Sequence, residues 1–125
     1  MSRPSGNRGL GRAGEDLAAA ALRSRGYRIL ERNYRCPLGE IDCVALHRGT
    51  VVFLEVKTRS GPAFGPPHEA VDRRKRRKLT RLAQYFVRER RLEGVPLRFD
   101  VVAVVWDGPA PRVEVFENAF EADEG

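Results

Sequence analysis

Residues 51–58 read Val51-Val52-Phe53-Leu54-Glu55-Val56-Lys57-Thr58. Strand periodicity puts Glu55 and Lys57 on one face, with Cα atoms roughly 6–7 Å apart. Val52, Leu54 and Val56 then face the other way and can fill a core. A Glu-x-Lys pair on an exposed strand is usually a surface ion pair. Here it follows Gly39-Glu40-Ile41-Asp42 by a hairpin's length. Residues 40–46 read as a strand in which Asp42 shares a face with Glu40, Val44 and Leu46. A hairpin brings Asp42 beside Glu55, with Cβ atoms about 5 Å apart.

Two half-buried carboxylates at that distance need a cation, a lysine or a proton between them. Mg²⁺ suits such a pair: it is hard, takes oxygen ligands, and uses one or two carboxylates together with water and phosphate oxygens. Lys57 can then orient a water for in-line attack on a phosphodiester. Only three of the 23 basic residues are lysines, and a retained lysine fits a task that a planar guanidinium cannot perform. Glu15 joins by helical-wheel geometry, flanking the apolar stripe and facing inward, unlike Asp16. Its simpler role would be dipole compensation in a first helical turn.

These residues need a scaffold. Residues 10–25 have helical spacing (Leu10, Ala13, Gly14, Leu17, Ala18, Ala21, Leu22), with Gly26 as the stop. Residues 27–34 alternate as a first strand, with Tyr27, Ile29 and also Glu31 expected on one face. Strands over 40–46 and 51–58 flank His47-Arg48-Gly49-Thr50, a connection of hairpin length. The stretch 60–67, with two glycines and three prolines, reads as a loop beside the centre; with Phe64 between its glycines it is expected either to order around a substrate or to be a plain connector. A second helix is expected over 69–91, a fourth strand over 97–106 and a short fifth over 112–116. The order, helix, three strands, helix, two strands, is most simply an α/β mixed sheet flanked by helices.

With 125 residues there is room for one domain, expected over 10–120, between a flexible basic tail (1–9) and an acidic tail (121–125). No apolar run approaches the ~20 residues of a membrane span and no signal sequence is evident, so no membrane partner and a cytoplasmic location are expected. Cys36 and Cys43 lack metal-site spacing and read as packing residues. His47 and His68 fall in loops without partners.

The formal charge is +6, unevenly spread. From 72 to 91 ten basic residues stand against Asp72 and Glu89, whereas from 107 onward six acids face Arg112 alone. A concentrated basic segment suits a polyanion, because neutralising phosphates releases counterions. It also fits a solvated helix face. Arg73, Arg74, Lys75, Arg76, Arg77, Lys78 and Arg81, with Arg59, are the candidate phosphate contacts.

The segments Gly11-Arg12-Ala13-Gly14-Glu15-Asp16-Leu17-Ala18-Ala19, Arg32-Asn33-Tyr34-Arg35, Gly39-Glu40-Ile41-Asp42, Phe53-Leu54-Glu55-Val56-Lys57-Thr58-Arg59-Ser60 and Ala70-Val71-Asp72 resemble those of the YraN-type family of bacterial proteins. That family in turn resembles archaeal Holliday-junction resolvases. The likeness runs from about residue 10 through the second helix, and more loosely to Glu117-Asn118-Ala119-Phe120. It implies a restriction-endonuclease-like PD-(D/E)xK core, with Asp42 as the aspartate, Glu55 and Lys57 as the Glu-x-Lys pair and Glu15 as the first-helix acid. Ile41 replaces the proline of the motif's name, and Cys43 stands where relatives tend to carry an apolar residue.

The resulting expectation is a Mg²⁺- or Mn²⁺-dependent endonuclease acting on DNA, branched or otherwise structured. Asp42, Glu55, the carbonyl of Val56 and Glu15 would attend the metal. The alternatives are a non-catalytic nucleic-acid-binding module that keeps the fold, and a protein-interaction subunit. A homodimer is expected by analogy with junction resolvases.

Overall fold

The structure, a computed structural model, describes residues 6–60 and 71–123, with side chains from residue 11 onward. The elements are α1 (Gly6–Ser24), β1 (Arg28–Cys36), β2 (Gly39–His47), β3 (Thr50–Ser60), α2 (Arg73–Arg90), β4 (Leu97–Trp106) and β5 (Arg112–Phe120). They form the expected α/β architecture. The five strands lie in sequence order in one mixed sheet, with β3 and β4 parallel and the other neighbours antiparallel. The parallel step is possible because α2 supplies the long crossover that parallel strands require.

Strand alternation feeds two cores. On one face Val44, Val51, Phe53, Phe99 and Val101 pack against Leu79, Leu82, Ala83 and Phe86 of α2. On the other, Cys43, Ala45, Val52, Leu54, Val102 and Val104 pack against Ala18 and Leu22 of α1. β3 and β4 are covered on both sides, as parallel strands generally are.

The boundaries differ from the periodicity in four informative places. α1 begins at Gly6, so residues 6–9, expected in the tail, are helical; they carry no apolar period that would reveal it. α2 begins at Arg73 rather than 69, because the Asp72 side chain accepts from Lys75 N at 2.9 Å and caps the helix there. β5 runs on to Phe120, past a register shift that pairs Phe99 with Phe120 but Val101 with Phe116. A shift in β1 between Ile29 and Glu31 places Glu31 opposite Val44, on the α2 face, where it meets Arg90. Glu31 therefore does not share the face of Ile29. The one extra residue in β1 reverses the alternation, and the two extra residues in β5 interrupt the pairing, so each conceals a continuing strand from a period-of-two reading.

His47 corrects another expectation. It is the last residue of β2 and 3% exposed, its ring stacked on Tyr27 with centroids 3.9 Å apart. An Arg98 NH group lies 2.9 Å from its Nδ1. The same guanidinium grips Asp100 through two hydrogen bonds of 2.8 Å, and Asp100 also accepts from the Tyr27 hydroxyl and from Asn118 N. This buried network ties the end of α1 to β2, β4 and β5.

Cys36 and Cys43 are free thiols, half-buried and buried, as packing residues should be. Residues 61–70, which include Phe64 and His68, lie outside the described residues, as do Glu69 and Ala70 of the expected helix start. No described helix is long and apolar enough to cross a membrane.

Candidate metal and nucleic-acid site

β3 presents Glu55 on the α2 side, almost buried at 9% side-chain exposure. Two ammonium groups converge on one of its oxygens: Lys57 Nζ at 3.5 Å and Lys75 Nζ at 3.4 Å from Oε1. Lys57 follows on the same strand face, as the spacing dictates. Lys75 comes from the first turn of α2, which Asp72 caps. Sequence reasoning placed Lys75 among the phosphate contacts and missed its position here. The scarcity of lysine was the available signal, since two of the chain's three lysines meet at one carboxylate.

Asp42 is positioned differently from the simple alternation. Cys43 packs with the α1 core and Ile41 with the α2 core, so the in-out pattern breaks at Asp42. The break lies opposite Asn33, whose φ is 53°. Ladder pairing between β2 and β3 runs from His47↔Thr50 to Cys43↔Leu54 and ends there. In place of the next rung, the Asp42 carboxylate accepts from Val56 N, Oδ2 to N being 2.8 Å. It therefore lies in the gap where the two strands part, rather than on the face shared with Val44. Within a strand a residue's N–H and C=O point to the same side. The Val56 carbonyl thus faces this gap too, beside Asp42.

Glu15 belongs to α1, which packs closely on the sheet face opposite α2. It is half-buried on α1, and its charge is felt at Asp42. The close approach depends on Gly14, where an added β-carbon would lie 2.2 Å from Thr58 Oγ1. Only a residue without a side chain lets the first half of α1 lie against the end of β3. Asp16, by contrast, is exposed and pairs with Arg32 at 2.7 Å.

The electrostatics follow from this crowding. The Asp42 carboxyl is pushed up from 3.8 to about 7, first by burial and then by the charge of Glu55, with Glu15 adding to it. The Val56 N–H and the Lys75 ammonium pull the other way. Around pH 7 the Asp42 carboxyl is therefore divided between its protonated and ionised forms, and added positive charge favours the ionised one. No group of three or more His, Cys, Asp or Glu side chains forms a metal cage among the described residues. The donors present are two carboxylates and a carbonyl, hard oxygens that suit Mg²⁺ or Mn²⁺ with the remaining positions left to water and phosphate.

The chain belongs to the Uncharacterised protein family UPF0102. That family matches residues 14–104, a span containing Glu15, Asp42, Glu55 and Lys57. A UPF0102 protein of Moorella thermoacetica is 56% identical over 112 residues, covering 88% of this chain and 93% of its own. One from Syntrophotalea carbinolica is 50% identical over 114 residues, covering 91% and 93%. A third, from Clavibacter michiganensis, is 49% identical over 111 residues, covering 88% and 94%.

In this UPF0102 chain the basic residues of α2 separate into distinct environments. Arg74, Lys78 and Arg81 are exposed and, with Arg77, line a cleft. Arg73 and Arg77 pair with Asp123 at 3.3 and 3.8 Å. Arg76 donates to the Val71 carbonyl and sits over the Phe120 ring, a packing role that the charge run did not disclose. Arg59 is exposed at the end of β3, donating to the Thr58 carbonyl.

Proposed function

We propose that this UPF0102 protein is a metal-dependent endonuclease acting on DNA. The observation that carries the reading is the gap at the end of the β2–β3 ladder. It holds Asp42 and the Val56 carbonyl next to Glu55 and Lys57, with an Asp42 carboxyl that burial and Glu55 leave short of positive charge. Asp42, Glu55 and the Val56 carbonyl would hold Mg²⁺ or Mn²⁺, with Glu15 alongside. Such an ion supplies positive charge to the oxygens of a scissile phosphate.

The chain's own groups do the rest. Lys57, anchored by Glu55, presents an ammonium that orients the attacking water. Lys75 neutralises Glu55 in the metal-free protein and can turn to the phosphate once that carboxylate is otherwise engaged. Arg74, Arg77, Lys78 and Arg81 extend positive charge along α2, away from the centre, as a track for the phosphate backbone.

A second reading, a nucleic-acid-binding module without turnover, draws on one specific observation: Lys57 and Lys75 already compensate Glu55 without a metal. One panel separates the two. Single-stranded, duplex, flap and four-way DNA are incubated with the protein in Mg²⁺, Mn²⁺ or chelator, with Lys57→Ala in parallel. Cleavage that needs the metal and Lys57 supports the nuclease. Salt-sensitive binding with no cleavage of any form supports the module.

A further inference from the structure

β1 and β2 are joined by a two-residue turn, Pro37-Leu38, between the paired Cys36 and Gly39. Proline fixes its own φ and stiffens the turn. Gly39 has a φ of 141°, and a β-carbon on it would lie 2.9 Å from Lys78 Cε, so the turn rests directly on the lysine stem. At the turn's tip Leu38 is 47% exposed, more than any other large apolar side chain among the described residues.

Leu38 does not project into empty solvent. Together with Arg74, Arg77, Lys78 and Arg81 it lines a cleft of about 380 Å³. The four cations occupy helix positions i, i+3, i+4 and i+7, a single stripe of α2. None of the five lining residues is acidic; the nearby Asp123 pairs with Arg77 at 3.8 Å and leaves the cleft's balance positive. Four positive groups around a rigidly mounted leucine complement a polyanion that also offers an apolar surface. A base lifted out of its stack, with its phosphates on the rim, has both properties. Proteins that kink nucleic acid insert apolar side chains in this way.

The cleft adjoins the centre described above, because Lys75, on Glu55, is one helical turn before Lys78. Leu38 precedes Asp42 by four residues, roughly 13 Å along a strand. That is the span of only a few nucleotides of a DNA strand.

We propose that Leu38, framed by Arg74, Arg77, Lys78 and Arg81, is an apolar wedge that selects DNA with an unstacked or unpaired base within a few nucleotides of the phosphate presented to Asp42 and Glu55. The proposal rests on the nuclease reading and assigns the discrimination between distorted and intact DNA to one side chain, Leu38.

The test is fluorescence anisotropy with four-way and intact duplex DNA, each carrying 2-aminopurine at or near the branch position. The full chain is compared with Leu38→Ala, Leu38→Met and the double variant Arg74→Ala/Arg81→Ala. Loss of the wedge should reduce the preference for branched over intact DNA about tenfold in Leu38→Ala. It should also abolish the rise in 2-aminopurine emission that marks unstacking, and Leu38→Met should restore both. The double arginine variant should weaken binding to both DNA forms alike and lower the slope of log K against log salt by about 2. If Leu38→Ala keeps the full preference and the emission change, the wedge is wrong and the nuclease reading stands. If the unaltered protein shows no salt-sensitive affinity for any DNA, both fall, and the cationic cleft belongs to an acidic protein surface.

Discussion

Asp42→Asn is the substitution whose outcome the electrostatics dictate most directly. Asparagine has nearly the same shape, and its amide oxygen can still accept from Val56 N, so the 2.8 Å contact survives. What disappears is a carboxyl whose folded-state value is about 7 against 3.8 in a free side chain. A carboxyl raised on folding holds its proton more tightly in the native state. The stability it confers is full below pH 3.8 and is lost as pH rises through 7. Each unit corresponds to about 1.4 kcal/mol, so the ceiling is about 4 kcal/mol. Part of this belongs to the pair, since Glu55 is the second cause and interacting carboxyls titrate together.

We therefore expect metal-free Asp42→Asn to gain on the parent protein steadily from pH 4.5 to 7.5, by about 1–2 kcal/mol in total, and to level off beyond. Urea denaturation in chelator across that range measures it, and groups that do not interact with Asp42 cancel in the difference. Saturating Mg²⁺ should reverse the order by stabilising only the parent, by about 1–3 kcal/mol. Parallel pH profiles, or an Asn variant that is less stable throughout, would refute the crowded-carboxylate argument.

Further outcomes follow from single contacts. Gly14→Ala drives a β-carbon into Thr58 Oγ1 and should cost about 1–3 kcal/mol by urea unfolding. Gly11→Ala meets nothing within 4 Å and should be neutral or stabilising, by up to about 1 kcal/mol. Lys75→Ala removes a cation 3.4 Å from Glu55; calorimetric titration should show Mg²⁺ binding tightened severalfold, and a weakened affinity would mean that Lys75 supports the ion rather than competing with it. Asp100→Asn weakens a fully buried partner of Arg98, Tyr27 and Asn118. It should destabilise the fold by about 2–4 kcal/mol, measured by denaturation, while leaving metal affinity unchanged.

The sequence disclosed elements through periodicity and site residues through charge out of place. Both signals failed where the chain breaks its own period. Glu55 and Lys57 were legible because β3 alternates without interruption. Asp42 was legible as a residue but not in its setting, since the strands part there and its side chain turns into the gap instead of onto a face. Glu31 escaped because the one-residue shift in β1 reverses the alternation, and the end of β5 escaped because two extra residues interrupt its pairing before Phe120. His47, read as a loop residue, ends a strand, and its partners Tyr27 and Arg98 are distant in sequence. Lys75 and Arg76 are neighbours in one charge run yet point to a carboxylate and to a phenyl ring, a difference set by helix phase and by what α2 covers. Gly14 gave no signal beyond its spacing; its importance lies in Thr58, more than forty residues away.

The central claim is that Asp42 and Glu55 hold a divalent ion beside Lys57. Mn²⁺ binding followed by electron paramagnetic resonance, on the parent chain and on Asp42→Asn, Glu55→Gln and Lys57→Ala, addresses it directly. The account predicts a bound ion in the parent and in Lys57→Ala, and its loss in both carboxylate variants. Equal Mn²⁺ binding in all four proteins, or none in any, would contradict it.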